Sequence, residues 1–150
     1  MSDLKIIVNI PPESASVQTH LSIIQSVIQR MSTNSSYCKA WCITLVSAIL
    51  VIIADKSKPE YIYLSLLPVV FFSYLDAYYL ALEKAFQCSY NQFIIKLHAN
   101  TLTTEDLYAV KPTNNNFKLL AKCYGSTSIW VFYLSLFILI FIMACIISKF

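Results

Sequence analysis

The chain has 150 residues, of which 57% are hydrophobic and 13% are charged, and its formal net charge is +3. Its one glycine, Gly125, excludes a Gly-rich phosphate loop, a dinucleotide-binding fingerprint and a nucleophile elbow, so we expect neither an enzyme nor a cofactor. The mean hydropathy of +0.62 leaves little polar sequence for a separate soluble domain and indicates a membrane protein.

The N-terminal part of the chain is predicted to precede the membrane. Residues 1–16 contain a five-residue apolar patch that Pro11-Pro12 ends, which is too short for a signal-peptide core and is interpreted as a short strand or surface anchor. Residues 17–38 have apolar positions at spacings of four and three, as in the seam of a short coiled coil. We expect this seam to mediate self-association through Val17, Leu21, Ile24, Ile28 and Met31.

Three apolar runs are interpreted as membrane spans. The clearest extends from Cys123 to Ser148, 26 residues without a charge. The first two runs flank a short polar turn at 55–60 and are expected to form an antiparallel hairpin, with Pro68 kinking the second span. No Pro or Gly lies between Val17 and Ala54, so one helix can include the first span; the alternative is a loop at 32–36.

The fold class that follows is an all-α integral membrane protein with three transmembrane helices, an amphipathic cytoplasmic N-terminal helix and a small cytoplasmic insertion. The predicted segments are an N-terminal cytoplasmic segment at 1–16, the amphipathic helix at 17–38, transmembrane helices at 39–54, 61–86 and 126–149, an external turn at 55–60 and a cytoplasmic segment at 87–125. Most Lys and Arg residues fall in the segments assigned to the cytoplasm, which predicts a cytoplasmic N-terminus and a periplasmic C-terminus in a bacterial inner membrane.

Asp76 is the most unusual residue in the spans, because a carboxylate near hydrocarbon needs a partner. Asp76 lies 15 residues after the start of span two, and Lys39 lies 15 residues before the end of span one, so antiparallel helices place them at equal depth. The same count brings Arg30 close to Glu83. Two interpretations remain open: interhelical ion pairs that fix the bundle, or a polar wall of a pore or gate.

Other candidate site residues follow from polarity and charge. The pore or gate candidates are Thr44, Ser47, Ser65, Phe72, Asp76 and Tyr79. The candidates for a ligand that bears phosphate are Lys96, His98, Lys111, Lys118 and Lys122, although lysines facing a lipid surface are the simpler explanation. The five cysteines contain no Cys-x-x-Cys pair, and no metal site is expected.

Several short motifs resemble a known group of proteins. They are Asn34-Ser-Ser, Lys39-Ala-Trp41, Ile43-Thr-Leu-Val46, Leu75-Asp-Ala-Tyr-Tyr-Leu-Ala-Leu-Glu83 and Ser126-Thr-Ser-Ile-Trp-Val-Phe-Tyr133. Together they resemble small bacterial membrane effectors of anti-phage defence, with the transmembrane effector of the Hailong system as the nearest match. The family often has Gly where Ala40 stands here.

This resemblance implies an oligomeric channel that a nucleotide signal holds closed and that depolarises the membrane on infection. A tetramer is the expected homo-oligomer, and the expected partners are the lipid bilayer and a nucleotide or oligonucleotide made by a nucleotidyltransferase, with no duplex nucleic acid. The residues that match the family's motifs as structural elements are Lys39, Trp41, Asp76, Tyr79 and Glu83. The alternatives are a structural subunit of a membrane complex and a holin-like toxin that needs no ligand.

Overall fold

A computed structural model describes residues 11–56, 59–114 and 116–147 of the chain. These residues form helices joined by short loops, and no β-strand occurs among them. The predicted strand or anchor at 1–10 lies outside the described residues. Three helices are long and apolar enough to cross a membrane, as the hydropathy of the sequence predicted.

Helix α1 extends without interruption from Ala15 to Lys56, so the alternative loop at 32–36 is not observed. It begins after Pro11-Pro12, where the Ser14 hydroxyl accepts a hydrogen bond from the amide of Val17 at 3.4 Å. At 1.5 Å per residue its 42 residues measure roughly 60 Å, about twice the thickness of a hydrocarbon layer. A large part of α1 therefore projects beyond any span.

The second span begins as a 3₁₀ helix, Pro59–Ser65, and continues as helix α2, Leu66–His98. Pro68 stands in the first turn of α2, where a missing backbone N–H leaves no helical hydrogen bond unmade. The structure therefore places Pro68 where the 3₁₀ helix becomes the α-helix, near the start of the span and not at its middle. Because a proline ring clashes with the carbonyl four residues earlier, Pro68 instead explains why the chain is not yet α-helical at Leu64.

Small side chains on α2 let α1 approach closely. Ala77, Ala81 and Ala85, each one turn from the next, are at most 1% exposed. Helix α4, Thr127–Ile147, completes the membrane bundle, and a short helix α3, Phe117–Tyr124, precedes it. The core between the spans consists of buried residues from α1, α2, α4 and the 3₁₀ segment: Cys42, Val46, Leu50, Ile53, Ile62, Val69, Ala77, Ile129, Tyr133, Leu136 and Ile140.

Beyond the spans, α1 and α2 remain paired. We call residues 15–38 of α1, residues 84–98 of α2 and the connecting residues 99–114 the extension. A second core lies inside it, formed by Val17, Phe93, Leu97 and Leu102. The 3₁₀ turn Thr104–Asp106 is held by a capping box. The Thr103 amide and hydroxyl donate to the Asp106 carboxylate, and the Asp106 amide donates to the Thr103 carbonyl.

The extension overturns the prediction of a free self-association seam. Val17 and Ile24 are at most 2% exposed and Met31 is 8% exposed, while Leu21 and Ile28 are half-buried. The seam has the predicted helical spacing, but its partner is in the same chain, because α2 continues to His98 and lies against it. The seam is therefore already packed within the chain, and the prediction that it binds a second copy is wrong.

Candidate functional site: a buried ion pair and a polar outer helix face

The first candidate site is a cluster of polar side chains between α1 and α2. The Asp76 side chain is fully buried, and its Oδ2 lies 2.6 Å from Lys39 Nζ. The Ser35 hydroxyl donates a hydrogen bond to Asp76 Oδ1, and Lys39 Nζ donates to Ser35 Oγ at 3.4 Å. The structure thus brings together Lys39 and Asp76, the pair that the residue count placed at equal depth, and adds Ser35.

Helix geometry explains how this cluster forms. Ser35 and Lys39 are one turn apart on α1, so both project toward the same position on α2. Lys39 is 23% exposed, so its ammonium reaches the edge of the cluster, whereas the carboxylate has no route to solvent within this chain. Tyr133 of α4 is also buried beside the Asp76 carboxylate, so all three spans contribute to the enclosure.

The second predicted pair, Arg30 with Glu83, is wrong. Arg30 is exposed, and Glu83 accepts a hydrogen bond from Gln87 Nε2 at 2.9 Å, one turn along its own helix. Within the described part of the chain the ion pairs are Lys39–Asp76 and Lys96–Asp106. Arg30 lies about 14 Å along α1 from Lys39, outside the apolar region, where water competes with an ion pair.

Exposed aromatic side chains surround the bundle at the level of the cluster. Tyr37 and Trp41 stand two residues either side of Lys39, and Tyr74 and Tyr78 stand two residues either side of Asp76. These four side chains, with Tyr124 and Trp130, are each at least 40% exposed. Tyr61 and Tyr63 are exposed at the opposite end of the second span. Two such levels of Tyr and Trp are typical of the two membrane–water interfaces.

A polar face of α1 points away from the rest of the chain. Thr44 and Ser47 are exposed, whereas Cys42 is 0% exposed and lies roughly half a turn from both on the helix. Thr44 Oγ1 donates to the Ala40 carbonyl at 3.0 Å, as hydroxyls in apolar helices commonly do. We call Ala40, Thr44, Ser47, Val51 and Asp55, all exposed and all opposite the buried side, the outer face of α1.

The remaining pore candidates lie inside the chain. Ser65 is fully buried, and its hydroxyl donates to the Ile62 carbonyl at 2.6 Å. Phe72 is half-buried and packs against the core between the spans, and Tyr79 is half-buried on α2. The structure therefore separates the six candidates into two sets. Thr44 and Ser47 are on the outer face of α1, whereas Ser65 of the 3₁₀ helix and Phe72, Asp76 and Tyr79 of α2 are buried or half-buried.

The extension contains a second candidate site, a cavity of about 180 Å³. Its wall includes two of the predicted ligand residues, Lys96 and Lys111, together with His20, which no pattern in the sequence singled out. His20 is 1% exposed, and its Nδ1 accepts a hydrogen bond from the amide of Tyr108 at 2.9 Å. The other candidates, His98, Lys118 and Lys122, are exposed and do not line this cavity.

One acidic residue limits the positive charge of the cavity. Asp106 Oδ1 lies 2.6 Å from Lys96 Nζ, and its Oδ2 accepts from the Thr103 amide and hydroxyl at 3.0 and 2.8 Å. Partial burial acts to raise the pKa of Asp106, but the hydrogen bonds from Lys96 and Thr103 outweigh it and hold the pKa below its ordinary value. Asp106 is therefore a carboxylate at neutral pH that neutralises Lys96, so the net positive charge of the described wall comes from Lys111.

No family model matches the chain, and searches of curated proteins and of solved structures find no match either. Function is therefore inferred from the sequence resemblance, the two sites and the outer face of α1.

Proposed function

We propose that this chain is a membrane effector of bacterial anti-phage defence, which assembles into an oligomeric ion channel and depolarises the inner membrane when a nucleotide signal no longer controls it. The N-terminus and the extension face the cytoplasm, and the C-terminus faces the periplasm. The anti-phage role rests on the sequence resemblance alone. The channel is supported by one structural observation, which is the outer face of α1.

Thr44 and Ser47 lie near the middle of the first span and point away from the helices that pack within the chain. In hydrocarbon a polar side chain is retained mainly where it meets water or another polar group. Small residues at Ala40, Thr44 and Ser47 also allow a second helix to approach closely. Copies arranged with these faces toward a common axis would line a path with hydroxyl groups.

The interior of one chain is unsuitable as the path. Ser65 and Asp76 are fully buried, and the Asp76 carboxylate is occupied by Lys39 and Ser35. Conduction therefore occurs between copies, and the buried ion pair fixes the position of α1 relative to α2.

The test compares two exposed serines that lie within different spans. Ser47 and Ser135 are both exposed, but Ser47 is on the outer face of α1 and Ser135 is on α4. Each is changed to Cys in a chain whose five native cysteines are replaced by Ala, and current is recorded in planar bilayers. This cysteine-free chain must first conduct like the parent.

A membrane-impermeant thiol reagent is expected to block current through the Ser47→Cys channel and to leave the Ser135→Cys channel unchanged. Equal effects at both positions would refute the assignment of the path to α1. If the parent chain carries no current at any density in the bilayer, the channel itself is refuted.

The second candidate function is a structural subunit of a membrane complex. It is favoured by the complete enclosure of Asp76, because an ion pair sealed within one chain is what a fixed bundle requires. This function predicts intact assembly with a partner protein and no current, so the same bilayer recording distinguishes the two.

A further inference from the structure

Helix α3 has three distinct sides. Cys123 is buried, and Leu119 and Leu120 are half-buried, so this side packs on the bundle. About a third of a turn away, Lys118 and Lys122 are exposed one helical turn apart. The third side is apolar and exposed: Phe117 is 81% exposed and Tyr124 is 40% exposed, with the exposed Ala121 between them.

The position of α3 is well defined by its contacts. Asn116 caps its first turn, since the Asn116 Oδ1 accepts from the Leu119 amide at 2.9 Å. At its other end the Tyr124 hydroxyl lies 3.3 Å from the Ser73 hydroxyl of α2. Helix α4, the most apolar span, begins at Thr127, three residues after α3 ends. These contacts fix α3 at the end of the third span.

The exposed apolar side of α3 is at the level of the interfacial aromatics. Tyr124 bonds Ser73, which is next to the exposed Tyr74 and three residues from Asp76, and Trp130 is one turn into α4. A phenylalanine this exposed is unfavourable in water. At a membrane surface, an apolar side reaches the acyl chains while lysines on the adjacent side extend to the headgroups.

We propose that α3 is an interfacial helix that binds anionic phospholipid. Phe117 inserts among the acyl chains of the leaflet at this end of the bundle, and Lys118 and Lys122 bind headgroup phosphates. Two arguments select an anionic lipid surface as the occupant: the direct continuity of α3 with a span, and the charge complementarity of two exposed lysines beside the apolar side. Lipid binding at α3 does not depend on whether the protein conducts ions.

The depth of α3 is measured with a tryptophan placed at position 117. Phe117→Trp is made in a full-length chain that also carries Trp41→Phe and Trp130→Phe, so that residue 117 is the one source of tryptophan fluorescence. All three positions are at least half exposed, so the packed core is untouched. The protein is reconstituted in vesicles of phosphatidylcholine, with or without a quarter of phosphatidylglycerol, and quenched with lipids brominated on the acyl chains.

We expect strong quenching by brominated lipid, about twofold weaker quenching by aqueous iodide than for free tryptophan, and deeper insertion when phosphatidylglycerol is present. Lys118→Gln with Lys122→Gln is expected to abolish the dependence on phosphatidylglycerol. The matched control, Arg30→Glu, lowers the net charge by the same amount at an exposed position outside α3 and is expected to retain it.

Two results would overturn the proposal. If iodide quenches the fluorescence of the Phe117→Trp chain as strongly as that of free tryptophan, and brominated lipid does not quench it, this side lies in water and is open to a protein partner. An equal loss of the phosphatidylglycerol dependence in the control would show a general effect of net charge. A count of phosphatidylglycerol retained by the unmodified chain, by the Lys118→Gln, Lys122→Gln variant and by the Arg30→Glu control, taken by native mass spectrometry, provides an independent measurement.

Discussion

The ion pair between Lys39 and Asp76 predicts an unequal response to removal of its two members. Asp76→Ala leaves Lys39 without a partner, but the lysine side chain is 23% exposed and its ammonium can extend to water. Lys39→Ala leaves a carboxylate that is fully buried, with the Ser35 hydroxyl still donating to its Oδ1. The second change should therefore destabilise the bundle more than the first.

The magnitudes follow from what each change leaves unpaired. For Asp76→Ala we expect a loss of about 1 to 2 kcal/mol in the free energy of unfolding, since Ser35 loses its acceptor and Lys39 relaxes outward. For Lys39→Ala we expect about 3 to 5 kcal/mol, the usual cost of an uncompensated buried charge. The double variant should be more stable than Lys39→Ala alone, because removal of the carboxylate removes that cost.

The assay is reversible unfolding in detergent micelles by titration with sodium dodecyl sulfate, with helix content followed by circular dichroism. A double-mutant cycle gives the coupling energy between the two side chains. A coupling of zero, or an Asp76→Ala variant less stable than Lys39→Ala, would refute the reasoning from burial. Ser36→Ala is a suitable control, because Ser36 is an exposed neighbour of Ser35 that bonds its own helix at Ser32.

Two further predictions concern the extension and use the same titration. Ile24→Ala should lower the free energy of unfolding by about 2 to 4 kcal/mol, because Ile24 is 2% exposed. Its neighbour Ile23 is 39% exposed, so Ile23→Ala should lower it by less than about 0.5 kcal/mol. Equal losses would mean that the seam is not packed within the chain. The pKa of Asp106 is below its ordinary value in the folded protein. Asp106 therefore stabilises the folded state above roughly pH 4, and this contribution to the free energy of unfolding is lost as the pH falls further. Asp106→Asn should remove this acid-dependent loss and cost about 0.5 to 1 kcal/mol at pH 7, since Lys96 is half exposed; an unchanged pH dependence would contradict the assignment.

The helical spans and the meeting of Lys39 with Asp76 were predictable because each depends on one local rule. Length and hydropathy identify a span without reference to its neighbours. Two antiparallel helices joined by a short turn rise equally per residue, so counting from the turn gives relative depth. The same count failed for Arg30 and Glu83, because equal depth brings side chains together only where both face the same helix contact and water does not compete.

The partner of the α1 seam was not predictable from its spacing. A heptad pattern shows that a face needs apolar contacts, and it carries no information on whether they come from a second copy or from the same chain. That depended on the length of α2, which continues to His98, and on the following loop, whose Tyr108 amide bonds His20 of α1. His20 was missed for the same reason, because its bond to the Tyr108 amide joins residues 88 positions apart.

The polar residues of the spans show most clearly what tertiary packing decides. Ser47 and Ser65 are equivalent by composition, each a hydroxyl within an apolar run, yet Ser65 is sealed inside the chain and Ser47 is on its surface. A sealed hydroxyl can bond its own backbone and needs nothing else, as Ser65 does with the Ile62 carbonyl. Thr44 also bonds its own backbone, at the Ala40 carbonyl, but Thr44 and Ser47 both face outward from the chain. The enclosed charges therefore explain how one chain holds its shape, and the exposed hydroxyls are the basis of the proposal that a second chain or water meets this surface.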